Sequence, residues 1–436
     1  MKFKLILSIL SIIILSGCHE EIKEETPPNI VLIISDDQSW TDYSFMGHES
    51  IETPRIDQLA SEGLTFTYGY AAAPLCSPSL ASIITGLYPH QHGILGNDPV
   101  FNFTEQRYGS NWLVARKKLY NQYETGFEKL STIPDLLKEK GYLSLQTGKW
   151  WLGNYINGGF DKGMTHGDPT RGGRHGDDGL KIGREGLQQV YDFMDSAQTA
   201  DHPFFIWYAP FLPHAPHTPP DSLLQKYQQR TTSEAVARYW AMCEWFDITC
   251  GQLMDYVDQK GWSENTLFVY VTDNGWIQDP EKPNRYAPRS KREPYDMGIR
   301  TPIIFRWTGT IDAEMNTTQA VSAIDIATTI LGINNIQPTT EMQGINVLDK
   351  PALDQRDLIF AENYAHDFTT VDSSLYHRIA IDLPYKLIWP DPMNQPEDSV
   401  ELFNLMEDPM EEHNLSVINP EKVEELKAKV DKWWER

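Results

Sequence analysis

The sequence predicts an α/β fold, a large and mostly parallel sheet flanked by helices, with a smaller C-terminal α+β subdomain. Three observations predict it. Short apolar runs rich in β-branched residues alternate with helical stretches as far as Thr308. Polar residues gather directly after those runs, where ligands sit in open parallel sheets. After Thr308 the alternation gives way to short strand-like segments and one terminal amphipathic helix.

The chain begins MKFKLILSILSIIILSGCHEEIKEE, with Lys2 and Lys4 ahead of an apolar run from Leu5 to Leu15. The run is too short to span a bilayer and has the form of a signal-peptide core. Leu15-Ser16-Gly17-Cys18 is similar to a bacterial lipobox, in which Cys18 is lipidated and becomes the mature N-terminus. Residues 1–17 are therefore expected to be a lipoprotein signal peptide and 18–28 an acidic tether ending at Pro27-Pro28. The expected product is an exported lipoprotein, anchored by acyl chains to the bacterial outer membrane on its periplasmic or cell-surface side.

Residues 29–308 form the expected catalytic domain. NIVLIIS (Asn29 to Ser35) has the composition of a strand buried on both faces, and it ends in Asp36-Asp37. Similar runs recur at YLSLQT, PFFIWYA, TLFVYVT and PIIFRW, separated by helical patterns such as TPRIDQLASEG and STIPDLLKEKG. A long helix is predicted over SEAVARYWAMCEWFDITCGQLMDYVDQKG. Its Cys243 and Cys250 stand about 10 Å apart along the axis, too far for a disulfide, and read as core thiols. The segment Asn157 to Glu185 is polar, glycine-rich and long, as functional or mobile loops are. Residues 309–436 contain the helical pattern AVSAIDIATTILG, strand-like HRIAID, YKLIW and VELFNL, and a final helix.

A formal charge of −24 opposes nucleic-acid binding, and any anionic substrate needs a locally basic pocket. Asp36, Asp37, Asp273 and Asn274 are hard oxygen donors that suit Ca²⁺, favoured here over Mg²⁺. Either pair alone reads equally as a turn or helix cap. Both pairs, however, follow apolar strands of one predicted sheet. Cys76 precedes SPSLAS, where Ser77 is placed to cap a helix that Pro78 begins. A thiol there is open to acidification by the helix dipole, or it is simply a small buried hydrophobe.

These residues resemble the formylglycine-dependent sulfatases of the alkaline phosphatase superfamily. Cys76-Ser77-Pro78-Ser79 through Thr85-Gly86 is similar to that family's C-x-P-S-R…TG, and Thr147-Gly148-Lys149-Trp150 to its TGKW. Ala215-Pro216-His217-Thr218-Pro219 resembles APHTP, and Lys291…Tyr295-Asp296…Gly298-Ile299-Arg300-Thr301-Pro302 resembles K…YE.GIR.P. ELFNLMEDPMEEHNL near the C-terminus is similar to the family's closing motif, so the resemblance covers nearly the whole chain.

The resemblance implies that a maturation enzyme oxidises Cys76 to formylglycine. The hydrated aldehyde, activated on Ca²⁺, would attack sulfur. Asp36, Asp37, Cys76, Asp273 and Asn274 would be the metal ligands. Lys149 and Lys291 would stabilise the sulfuryl oxygens and His217 would protonate the departing sugar oxygen. His92 is either the residue that orients the diol or a capping histidine. Sulfated oligo- or polysaccharide is the implied substrate, algal (ulvan, carrageenan) or glycosaminoglycan. Trp40, Trp150, Trp151 and Trp276 are candidate stacking partners for sugar rings.

Two positions depart from the family pattern. Its arginine four residues after the cysteine is Leu80, and its histidine after GKW is Trp151. Arg174 and His175, His166, or the run Arg289, Lys291, Arg292 are candidates to replace the lost cation and base, with Arg292 and His166 favoured as solvated surface residues. Arg174, His175, Arg300 and Trp151 are the expected substrate-binding set. Two alternatives to a sulfatase are a phosphoester or phosphonate hydrolase on the same scaffold, and a catalytically silent glycan-binding lipoprotein.

Overall fold

Asn29–Ser35 (β1) has every side chain buried, because it lies at the middle of an eight-stranded sheet. The computed structural model describes residues 27–101, 110–168, 173 and 175–435. The next strands are β2 (Leu64–Tyr70), β3 (Asp98–Pro99), β4 (Leu143–Gly148), β5 (Lys162–Gly163), β6 (Phe204–Ala209) and β7 (Thr266–Thr272). They are followed by β8 (Arg300–Trp307), β9 (Glu314–Ser322), β10 (Ile359–Tyr364), β11 (Asp367–Phe368), β12 (Leu375–Asp382), β13 (Tyr385–Pro390) and β14 (Glu401–Asn404). The large sheet runs β5-β4-β6-β1-β7-β8-β2-β9. It is parallel except where β8 lies antiparallel to β7 and β2.

The alternation of β1 explains why its sequence is apolar throughout. Ile30, Leu32 and Ile34 face a core that includes Leu80, Ile83 and Trp150. Val31 and Ile33 face a second core with Met242, Phe246 and Leu253 of the helix Glu234–Gln259. Cys243 and Cys250 are buried free thiols on that helix.

The sheet extends beyond Thr308. β9 pairs with β2, and the helix Asp325–Ile333 packs Ile326 and Ile330 into the first core, so this layer continues past the point where the sequence pattern changes. The expected helix over AVSAIDIATTILG accordingly starts as strand at Ala320–Ser322. The second unit is an antiparallel sheet, β10-β12-β13-β14, with the helix Pro420–Trp433 burying Val423, Leu426 and Val430 on Ala380, Leu387 and Leu402. Its opposite face packs Ile379, Ile381 and Phe403 against Tyr68, Tyr70 and Ile299 of the first unit. Lys386, fully buried, ties the two units by ion pairs to Asp296 (2.8 Å) and Glu411 (2.7 Å). Among the described residues no helix is long and apolar enough to cross a membrane.

Candidate active site

β1 and β7 pair in register from Asn29↔Thr266 to Ser35↔Thr272, so Asp36-Asp37 and Asp273-Asn274 leave the sheet side by side. Asp273 Oδ1 accepts the backbone N–H of Asp37 (3.1 Å) and of Asn274 (2.7 Å), which locks the two turns together. Asp37 sits at φ 67°, a left-handed conformation costly for a residue with a side chain and typical of functional turns. β4 supplies Lys149 through Gly148, at φ +76°, where an added Cβ would stand 1.8 Å from the Ala209 carbonyl oxygen. Only glycine lets the chain approach β6 so closely. The Lys149 N–H then bonds that same carbonyl at 2.6 Å.

Lys149 pairs with Asp36 and stands 3.4 Å from Asp273 Oδ2. Lys291 Nζ reaches both oxygens of Asp37, Oδ2 at 2.7 Å. Burial alone would raise the Asp37 carboxyl, but Lys291, His214 and Lys149 outweigh it and hold it well below the usual carboxylate range. Burial pushes the Asp36 carboxyl up in spite of Lys149. Both ammonium groups are desolvated, yet the surrounding anions keep them firmly protonated.

Cys76 opens the helix Cys76–Thr85, with Leu75 as its N-cap. The expected cap at Ser77 is therefore not made; the Ser77 N–H instead donates to Asn97 Oδ1 at 3.0 Å. The thiol is not acidified either, since burial pushes it up to about 12 against the pull of Lys149 and Lys291. Cys76 Sγ lies 4.0 Å from Asp37 Oδ1. Ligand atoms of Asp36, Asp37, Cys76 and His214 all lie within 4.8 Å of one another.

The donor set fits a hard divalent cation. Asp36 Oδ2 and Asn274 Oδ1 are buried without a hydrogen-bond partner, an arrangement that costs free energy unless something electropositive meets them. The Asn274 amide nitrogen is engaged with Asp37 Oδ1 (2.8 Å) and the Gly275 carbonyl (3.1 Å), which leaves its oxygen as the free donor.

Asp36, Asp37, Cys76, Lys149, Asp273, Asn274 and Lys291 thus converge. His217 lies beside them, its ring against Tyr239 (5.3 Å) and Trp276 (5.9 Å) and its backbone N–H on Asn284 Oδ1 (2.8 Å). Burial drops its imidazole to about 4, so it is neutral in the free protein. His92 braces a turn instead of joining the cluster: Nε2 bonds Ser82 Oγ (3.0 Å) and Nδ1 accepts from the Ile94 N–H (3.1 Å). Leu80 is core, 2% exposed.

A cavity of about 240 Å³ opens beside Lys291, lined by Trp151, His175, His214, Trp276 and Arg292 among others. Trp151 and His175 meet edge to face at 4.3 Å. Arg300 does not reach this cavity. Its guanidinium is buried between Trp40 (4.1 Å) and Tyr68 (3.8 Å) and donates to the Thr67 carbonyl, which corrects its assignment to substrate; Trp40 does not line this cavity either. Trp150 is likewise core, packed on Trp207 and Phe160. Arg289 is held by Tyr295 and the Glu411 carbonyl, and His166 packs on Tyr155. Arg292 is exposed and also lines the cavity. Arg174 and Cys18 lie outside the described residues.

His214, which the sequence marks only as one of the polar residues following a strand, stands with Nε2 3.4 Å from Asp37 Oδ2. Its place in the same post-β6 loop as His217 was the available signal. Arg184, Asn284 and His366 carry no such signal, because their proximity to the site is purely tertiary.

The Sulfatase family model matches residues 28–336, and a model described as N-sulphoglucosamine sulphohydrolase, C-terminal, matches 287–435. The N-acetylgalactosamine-6-sulfatase of Canis lupus familiaris is 29% identical over 360 residues, covering 74% of this chain. The chain spans 65% of that relative's length. The human N-acetylgalactosamine-6-sulfatase is 28% identical over 456 residues, covering 92% of this chain and 84% of its own. An ulvan-active sulfatase of Formosa agariphila is 26% identical over 380 residues, covering 77% and 68%. Among solved structures, Ps i-CgsB superposes with TM-score 0.73 at 24% identity, covering 94% of this chain and 93% of that one.

Proposed function

The chain belongs to the sulfatase family, and on that premise we propose that it hydrolyses sulfate esters of carbohydrate with Ca²⁺ and a formylglycine made from Cys76. One observation carries the reading. Cys76 stands at a helix start with ligand atoms of Asp36, Asp37 and His214 all within 4.8 Å of one another and of its own, two protonated lysines pair with those aspartates, and Asp36 Oδ2 and Asn274 Oδ1 are buried without partners. A hydrated aldehyde at position 76 would supply the nucleophilic oxygen, and a cation held by Asp36, Asp37, Asp273 and Asn274 would polarise the sulfate.

The chain's own groups do the rest. Lys149 and Lys291 present fixed positive charge to the sulfuryl oxygens in a water-poor site, where it counts for more than in solvent. His217, neutral in the free protein, gains a proton once an anionic ester binds and passes it to the leaving sugar oxygen. Leu80 is compatible with this scheme, because the cations at Cys76 come from Lys149 and Lys291. His175, whose ring lies against Trp151, would supply the imidazole missing at position 151. Lipidation at Cys18, export to the outer membrane, and maturation by a formylglycine-generating enzyme belong to the same reading, as does a sulfated polysaccharide or its fragments as substrate. The names of the galactosamine-sulfate and ulvan-active relatives support a glycan of algal or glycosaminoglycan type.

The test uses protein from its own host. The Cys76 peptide is expected about 18 Da lighter than its thiol form. Sulfate is expected from sulfated oligosaccharides, with phosphate monoesters turned over far more slowly and a chelator abolishing release. An unmodified thiol with no sulfate release in Ca²⁺ overturns the proposal, and so does a strong preference for phosphate.

A further inference from the structure

We propose that the cavity beside Lys291 is a subsite for a second anionic group on the substrate, a carboxylate or a further sulfate, bound by Arg285 and Arg292. The inference rests on the sulfatase reading and specifies the kind of glycan that reading would take.

The charge pattern is the first argument. The chain carries −24, yet none of the described residues lining this cavity is acidic, while Arg285, Lys291 and Arg292 all do line it. Lys291 pairs with Asp37 and belongs to the sulfate-binding cluster already described, so it is not counted toward the second anion. Neither Arg285 nor Arg292 forms an ion pair among the described residues. Against so negative a background, two uncommitted guanidinium groups at one mouth make a local reversal of potential that draws an anion in. A guanidinium also binds a carboxylate or sulfate through paired hydrogen bonds, which fixes orientation as well as charge.

The second argument is that the backbone under both arginines is held. Arg285 sits on a loop crosslinked by the Asp279 N–H to the Arg285 carbonyl (2.9 Å) and the Ala287 N–H to the Ile277 carbonyl (2.7 Å). The Gln278 amide donates to the Lys282 carbonyl (2.9 Å) across the same loop. The loop's Asn284 is the residue that receives the His217 N–H, so the arginine and the proposed proton donor share one rigid piece. Arg292 adopts φ 72° and donates its N–H to the Pro74 carbonyl (2.8 Å), two residues before Cys76. Tyr286 and Trp276, edge to face at 5.4 Å, give the cavity an aromatic wall suited to a sugar ring between the two charged ends.

The experiment measures binding to full-length Cys76→Ala protein, which cannot form the aldehyde and so holds its ligands unreacted. Three disaccharides are titrated calorimetrically at low salt: one with a single sulfate, one with an added carboxylate, one with an added second sulfate. The added anion is expected to tighten binding about tenfold or more. Whichever of the two anions gives the larger gain identifies the natural group. Adding Arg285→Ala and Arg292→Ala is expected to bring the three affinities within about threefold of one another, with the melting temperature unchanged as the folding check. No gain from either anion, a gain that survives in the double variant, or no binding by any of the three overturns the proposal. Failure of the sulfatase reading shows separately, as absence of sulfate release by the protein with Cys76 intact.

Discussion

Arg184 holds His214 in place by its main chain. Nη2 donates to the His214 carbonyl (3.0 Å) and, with Nε, to the Phe211 carbonyl, while Nη1 reaches Thr218 Oγ1 (3.1 Å). One side chain at the end of the glycine-rich segment thus clamps the whole loop that carries His214 and His217. Its planar fork is what lets it bond three sites at once.

Arg184→Ala is expected to cost about 1–3 kcal/mol in urea unfolding and to lower kcat/KM for sulfate release by about tenfold or more. Arg184→Lys should recover little, because an ammonium cannot reproduce the fork. Equal activity in all three proteins would show that the loop is held by its other contacts.

His217→Ala should separate leaving groups. A sugar alkoxide needs a proton and a nitrophenolate does not. The loss is therefore expected to be about 10²–10⁴-fold on a sulfated sugar and much smaller on 4-nitrophenyl sulfate. A uniform loss on both would assign His217 to binding.

The parts of this molecule that were legible in the sequence are those in which one local pattern decides the outcome. β1 and β7 are buried on both faces, so each reads as an unbroken apolar run, and the residues that follow them fall at the carboxyl ends of neighbouring strands by the parallel register. β2 and β10 were not legible: LTFTYGY alternates threonine with aromatics around a glycine, and IFAENY hides Glu362 and Asn363 inside a strand. Glu362 is buried there because it meets His90 and Tyr364, a tertiary circumstance. Arg300 shows the converse. Its motif placed it near substrate, but Trp40 and Tyr68, distant in sequence, close over it.

Lys386→Ala is expected to destabilise the fold by about 3–5 kcal/mol, since it strands Asp296 and Glu411 together in the interior. Burial already lifts the Glu411 carboxyl to about 7 even with the lysine present. Without it Glu411 takes up a proton more readily, so the penalty should shrink as the pH is lowered. Denaturant unfolding at pH 5.5 and 8 checks both statements.

Asp247 offers a pH-dependence with a definite sign. Its Oδ1 accepts the N–H groups of Ile56 (2.7 Å) and Arg55 (3.0 Å) at the start of the helix Pro54–Glu62, yet burial raises it to about 7. From about pH 4, the unfolded value, to about 7 the native state holds the proton more tightly than the unfolded chain does. Its contribution therefore falls as the pH rises through that window and is level above it. Asp247→Asn keeps an oxygen acceptor and removes the titration. The difference in unfolding free energy, variant minus wild type, should climb between pH 4 and 7 and then stay flat; a difference independent of pH would mean Asp247 is ionised throughout.

Calcium should bind where the buried oxygens lack partners, and thermal unfolding can show it without any turnover. A ligand present at a hundred times its Kd stabilises the native state by about 2.7 kcal/mol, which is a shift of several degrees at most for a chain of this size. Asn274→Ala removes one of the two unpartnered oxygens, and Asp36→Asn removes an anion while preserving shape. Each should reduce the calcium-dependent shift, with Asp36→Asn the more severe because a carboxylate contributes charge as well as a donor. In the metal-free state Asp36→Asn also removes the ion-pair partner of the buried Lys149, so with chelator it should melt below wild type as well. Melting curves with calcium and with chelator, run on the same three proteins, give all of these comparisons. An undiminished calcium shift in both variants would place the ion somewhere else.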